Sequence, residues 1–172
     1  MKKIALFLAL VLVLNVFAAC GGTDATGDIT APEGTTAELI EKIYENVTVE
    51  LALVTMPVDT ADVDGLSYMT GLTDTTLLTE GSVSEPMIGA QAYSLVLVRA
   101  ADAAKAGEIA QSMFDNIDTR KWICVEATEK QAVVCGDLVM FIMLDPQYGV
   151  TTDQIVEAFT AVCGGQVGTI LK

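Results

Sequence analysis

The sequence predicts an α+β fold, on three observations. Two apolar runs of strand length, residues 131–135 and 138–144, are separated by Gly136-Asp137, a two-residue hairpin signal. Apolar stripes at helical spacing alternate with such strands along the chain. Threonine boxes, Thr35-x-x-Glu38 and Thr151-x-x-Gln154, open the first and last of these stripes.

The elements follow in order. Leu39, Ile43 and Val47, with Ile40 and Tyr44, form an apolar stripe behind the Thr35 box and predict an N-terminal helix. Val49 to Val54 fits either an extension of that helix or a strand, because β-branched residues and Pro57 follow. Residues 59–76 read as a loop with one short helical turn near Leu66 to Met69. Leu77 to Val83 and Gln91 to Arg99 are predicted strands. Ala101 to Asp118 is a predicted helix, capped by Asp102, with Ala106, Ala110, Met113 and Ile117 on one face beside Ile109 and Phe114. Thr151 to Cys163 is the last helix, with Ile155, Phe159 and Val162 as its stripe and Gly164-Gly165 as its stop.

From residue 77 the order is β-β-α-β-β-α. Short connections favour an antiparallel sheet of about four strands with the helices packed on one face, plus the N-terminal helix. Residues 138–144, LVMFIML, carry no polar residue, whereas a sheet with one wet face should alternate. The second face is therefore expected to lie under the N-terminal helix, with a homodimer as the alternative cover.

The chain has 172 residues, 52% of them hydrophobic, and suits one domain spanning 35–172. Part of the apolar content is a signal segment, residues 1–19. Lys2 and Lys3 precede an eleven-residue apolar run, Ile4 to Leu14, too short to cross a bilayer core that needs about 20 residues. Ordinary cleavage after Ala19 would place the large Phe17 at the −3 position. Cleavage after Ala18 would place Val16 there, which is tolerable and would give a soluble secreted form. Phe17-Ala18-Ala19-Cys20 resembles the lipobox of bacterial lipoprotein signals, with Phe17 where Leu is usual. That resemblance implies a diacylglycerol on Cys20 and anchoring in the lipid bilayer on the extracytoplasmic face of the cell membrane. Two acyl chains, at about 0.8 kcal/mol per buried CH₂, hold stably where one is marginal. Residues 20–34, rich in Gly, Thr and Asp, read as a flexible tether with an r.m.s. reach of roughly 20 Å.

Net charge is −14. Without residues 1–19 the count is seven Lys and Arg against 23 Asp and Glu, a net −16. Such a surface repels nucleic acid and anionic headgroups, so no nucleic-acid partner is expected and the anchor must be the lipid.

The residues 87–113, MIGAQAYSLVLVRAADAAKAGEIAQSM, carry a further resemblance. With Trp122, the stretches 131–144 and 153–159, and the Tyr68 to Leu72 element, they resemble a Gram-positive lipoprotein family with the domain of unknown function 4358. The resemblance covers roughly residues 49–162 and implies a lipoprotein address and a compact domain, with no catalytic residues to carry over.

The chain contains no His, which removes Ser-His-Asp and Cys-His chemistry and His-based zinc sites. Gly164-Gly165-x-x-Gly168 follows a helix and reads as its stop and tail, not as a phosphate cradle. Asp59, Asp62, Asp64 and Gly65 suggest calcium, but in that register Thr60 is first and Gly71 twelfth, where acids are needed. A solvated acidic loop is expected, and no metal or cofactor. Cys124, Cys135 and Cys163 are expected as buried free thiols, the alternatives being one disulfide, with Cys124 to Cys135 the favoured of three pairings, and a reactive thiol. Two functional classes survive: a non-enzymatic envelope module with an unidentified protein, peptide or small-molecule partner, and an enzyme with an unmarked carboxylate or thiol site. The first is favoured by the missing His and motifs.

Overall fold

A computed structural model describes residues 29–172. They form an α+β fold of four helices and one antiparallel six-stranded sheet. The elements are α1 (Thr36–Asn46), β1 (Leu53–Pro57), α2 (Val63–Thr70), β2 (Leu78–Pro86), β3 (Tyr93–Ala100), α3 (Ala106–Asn116), β4 (Glu129–Cys135), β5 (Leu138–Leu144), α4 (Thr152–Val162) and β6 (Ile170–Leu171). The strand order is β1-β2-β3-β5-β4-β6. β3 and β4 both pair antiparallel to β5, so they run parallel to each other with β5 between them. α3 makes the crossover.

The sheet has two strands more than expected, both at its edges. β1 is the ambiguous stretch before Pro57, and β6 has only two residues pairing with β4. β2 also runs three residues past the expected end. Its Ser82 and Ser84 face the α1 side, and each finds a hydroxyl partner there: Thr36 Oγ1 at 2.8 Å from Ser82 Oγ, and Tyr44 OH donating to Ser84 Oγ at 2.9 Å. Burial of these polar residues therefore costs little.

Helices cover both faces, α1 lying over the second face as expected, but α4 joins α1 there instead of sharing a face with α3. α1 and α4 pack together on one face; α3, with Leu66 of α2, covers the other. Leu138, Met140, Ile142 and Leu144 point toward α1 and α4, while Val139, Phe141 and Met143 point toward α3. β5 is apolar throughout because neither of its faces meets water. A second copy of the chain is not needed to cover it.

The helix ends follow local chemistry. Both threonine boxes form: Thr35 accepts from Glu38 N while Thr35 N donates to Glu38, and Thr151 with Gln154 does the same. α2 has two turns rather than one because Asp62 caps it and Gly71, at φ +75°, ends it. A Cβ on Gly71 would stand 2.7 Å from Ile117 N, so the end of α2 abuts the end of α3. The predicted helix from Ala101 starts instead as a short 3₁₀ turn, Ala103–Lys105, capped by Asp102.

Residues 20–28 lie outside the described residues. Ile29 to Gly34, expected as the end of the tether, lie on the domain instead. Arg99 forms a two-pronged ion pair with Asp137, at 2.7 and 2.9 Å, and donates to the carbonyls of Pro32 and Gly34. Gly136, at φ +60°, lets Ala31 pass; a Cβ there would stand 2.6 Å from Ala31 N. This contact marks one pole of the sheet. Tyr93 starts β3 at the other pole, six steps from Arg99, or about 20 Å away.

Candidate functional site

At the Tyr93 pole, the loop between α3 and β4 folds Lys121 inward. Its side chain is 1% exposed, and Nζ lies 2.5 Å from Glu85 Oε1. The ammonium also donates to Ser94 Oγ at 3.2 Å. The approach to Glu85 is off the hydrogen-bonding direction, leaving Oε1 with an ion-pair partner but no aligned donor. Aromatic rings wall the cation: Tyr68 at 5.2 Å and Trp122 at 5.7 Å from their centroids. Burial holds the Lys121 pKa below its ordinary value, and Glu85 opposes that shift. Burial also raises the Tyr68 phenol, with help from the charges of Glu85 and Asp118.

Exposed apolar side chains lie on the segments beside this buried pair. Met87 is 76% exposed, Ile123 72%, Ile88 59% and Tyr68 51%. Three contacts bring their segments together. Ile123 N donates to Gly89 O at 3.0 Å, Tyr68 OH donates to Lys121 O at 3.2 Å, and Met87 N donates to Ala52 O at 3.1 Å. Val54 of β1 lies directly across the sheet from Glu85 and is also exposed. Cys124, next to Ile123, is the one non-glycine at positive φ (+63°) among the described residues. Holding such a residue there costs on the order of 1 kcal/mol or more.

Lys121 is engaged by Glu85 and by Ser94, whose hydroxyl is fully buried. A shallow groove of about 660 Å³ lies elsewhere, between the end of α1 and α4, lined by Asn46, Thr48, Glu50, Gln154 and Glu157 among others. It holds carboxylates and amides without a paired nucleophile.

The residues singled out in sequence are scattered. Phe17, Ala18, Ala19 and Cys20 lie outside the described residues. Among the described residues no group of three or more Cys, Asp or Glu could hold a metal ion, and Asp62 is engaged in capping α2. Cys124, Cys135 and Cys163 are free thiols, but Cys124 is exposed, contrary to the expectation of burial. The alternative Cys124–Cys135 disulfide is not formed and does not fit. Cys124 sits beside the Tyr93 pole, whereas Cys135 ends β4 next to Gly136 at the other, well beyond the Cα separation of about 7 Å that a disulfide spans. Cys135 instead shares its buried cluster with Cys163. Sequence reasoning passed over Lys121, Glu85 and Tyr68. The available signal was a scarce cation next to the single Trp of an acidic chain.

No family model, curated protein or solved structure matches this chain.

Proposed function

We propose that the protein is an extracytoplasmic lipoprotein, anchored in the cell membrane through diacylglyceryl-Cys20, whose domain is a non-enzymatic binding module for a protein partner of the cell envelope. Membership in the lipoprotein family of the domain of unknown function 4358, resting on residues 87–113, belongs to the same proposal. One observation carries the binding reading: Tyr68, Met87, Ile88 and Ile123 are exposed apolar residues on segments tied together beside the buried Lys121–Glu85 pair. Exposed apolar patches of this kind mark contact sites. The patch lies at the pole opposite the Arg99 contact with residues 32–34, so an anchor upstream leaves it facing outward. The acidic surface disfavours nucleic acid and anionic lipid as its occupant and favours a neutral or basic protein surface.

The test is co-purification from detergent-solubilised membranes. The wild type should bring down a stable partner. Met87→Asp with Ile88→Asp should lower the yield of that same partner at least tenfold without changing the melting temperature. An unchanged yield overturns the binding reading. Cys20→Ser should release the protein from membranes and change its precursor mobility; if it stays bound with mobility unchanged, the anchor reading fails.

A further inference from the structure

We propose that Cys135 and Cys163 are the two halves of an intramolecular disulfide site, and that Cys124 stays outside it. Cys135 is the last residue of β4 and is fully buried; Cys163 caps the C-terminal end of α4 and is 9% exposed. Both belong to the same apolar cluster under α1 and α4. Each thiol bears on the acidity of the other, that of Cys135 lowered and that of Cys163 raised, as neighbouring sulfurs do. α4, which Cys163 caps, packs against β4, which Cys135 ends. The neighbouring backbone is already tied: after Gly164 and Gly165 the chain returns to β4, Gly168 N donating to Val134 O and Val134 N to Thr169 O. Neither thiol meets a metal-ligand set, and neither is aimed at a cavity that a substrate could enter.

The oxidant is a disulfide, either small-molecule or carried by a thiol oxidase. With glutathione disulfide the step balances as follows. One thiol of the pair loses its proton to water and its thiolate attacks a glutathione sulfur, expelling one glutathione thiolate. The second thiol, deprotonated in turn, attacks the protein-side sulfur of the mixed disulfide and expels the second. Two cysteines are oxidised to one disulfide, and one glutathione disulfide is reduced to two thiols. The bond closes a loop of 28 residues that contains β5 and α4. An extracytoplasmic address, part of the proposed function, would supply such an oxidant. The geometry of the pair does not depend on that address.

Peptide mapping decides the matter, because trypsin leaves Cys135 and Cys163 on one peptide, residues 131–172, and Cys124 on another, residues 122–130. The full chain, purified in detergent, is equilibrated with glutathione and glutathione disulfide, unfolded, alkylated without reductant and digested. Peptide 131–172 should be unlabelled and lighter by its two lost hydrogens, taking two labels only after reduction. Peptide 122–130 should be labelled throughout. The oxidised protein should melt roughly 10 °C above the reduced one. In Cys163→Ser, Cys135 should take a label without reduction. Two labels on peptide 131–172 at every glutathione ratio, or a link to Cys124, overturns the proposal. A bond that forms in the tube but is missing from protein taken directly from cells keeps this site and overturns the compartment.

Discussion

Lys121 shows how one residue can depart from its chemistry and still be tolerated. An ammonium 1% exposed is expensive to bury, and here the cost is offset by Glu85, Ser94 and two aromatic rings. The arrangement makes a specific forecast. Lys121→Met strands the largely buried Glu85 and should cost about 3 kcal/mol in urea denaturation. Adding Glu85→Leu removes the stranded charge and should restore most of that loss. If the double variant is no more stable than the single, the two residues are not a pair. None of this was legible in the sequence. Lys121 lies 36 residues from Glu85 and 27 from Ser94, and only the pairing of β2 with β3 brings those two side chains together. The cysteines teach the same lesson. The sequence distance between Cys124 and Cys135 is short, but β4 carries the chain from one pole of the sheet to the other between them.

Among the elements, the readable ones had local chemistry to announce them. Thr35 and Thr151 each satisfy backbone donors within their own first turn, so their boxes could be read without knowing the fold. Thr35→Ala should therefore destabilise the domain by about 1 kcal/mol, and Thr35→Ser by much less, as read from denaturant midpoints. Equal losses for the two would mean that the side-chain cap is not what holds this end. The elements that escaped, β6 and the last third of β2, and β1, read only as one of two alternatives, depend on partners distant in sequence. Ser82 and Ser84 look like turn residues until Thr36 and Tyr44 are set against them. The two residues of β6 have no pattern at all; they are a strand only because β4 has a free edge. The side taken by α4 escaped for a similar reason. An apolar strand says that both faces are covered, not which helix covers which.

At the scale of the whole molecule, charge and burial set the limits of stability at the two ends of the pH range. Tyr44 and Tyr93 share hydroxyl contacts beneath α1, and burial raises both phenols above their ordinary value of 10.0. The native state therefore keeps protons that the unfolded chain releases, and stability should fall as pH rises past about 10. Lys121, with its pKa lowered below 10.5, works in the opposite sense over the same range. Tyr44→Phe should make the alkaline fall shallower, measured as urea midpoint against pH; an unchanged slope would remove the phenol from the account. At the acid end Glu38, Asp74 and Asp153 are held below their ordinary values of 4.5, 3.8 and 3.8 by hydrogen bonds from Thr35, Thr76 and Lys172 respectively. That support is complete above these values and is lost as pH falls through and below them. The strand between β3 and β4 has one more consequence, for synthesis. LVMFIML has no charge, no proline and no glycine, the profile of a segment that stacks with copies of itself. In the finished sheet both of its edges are occupied. Both neighbours also precede it in the chain, so the stretch most prone to self-association leaves the ribosome only after the two strands that will flank it.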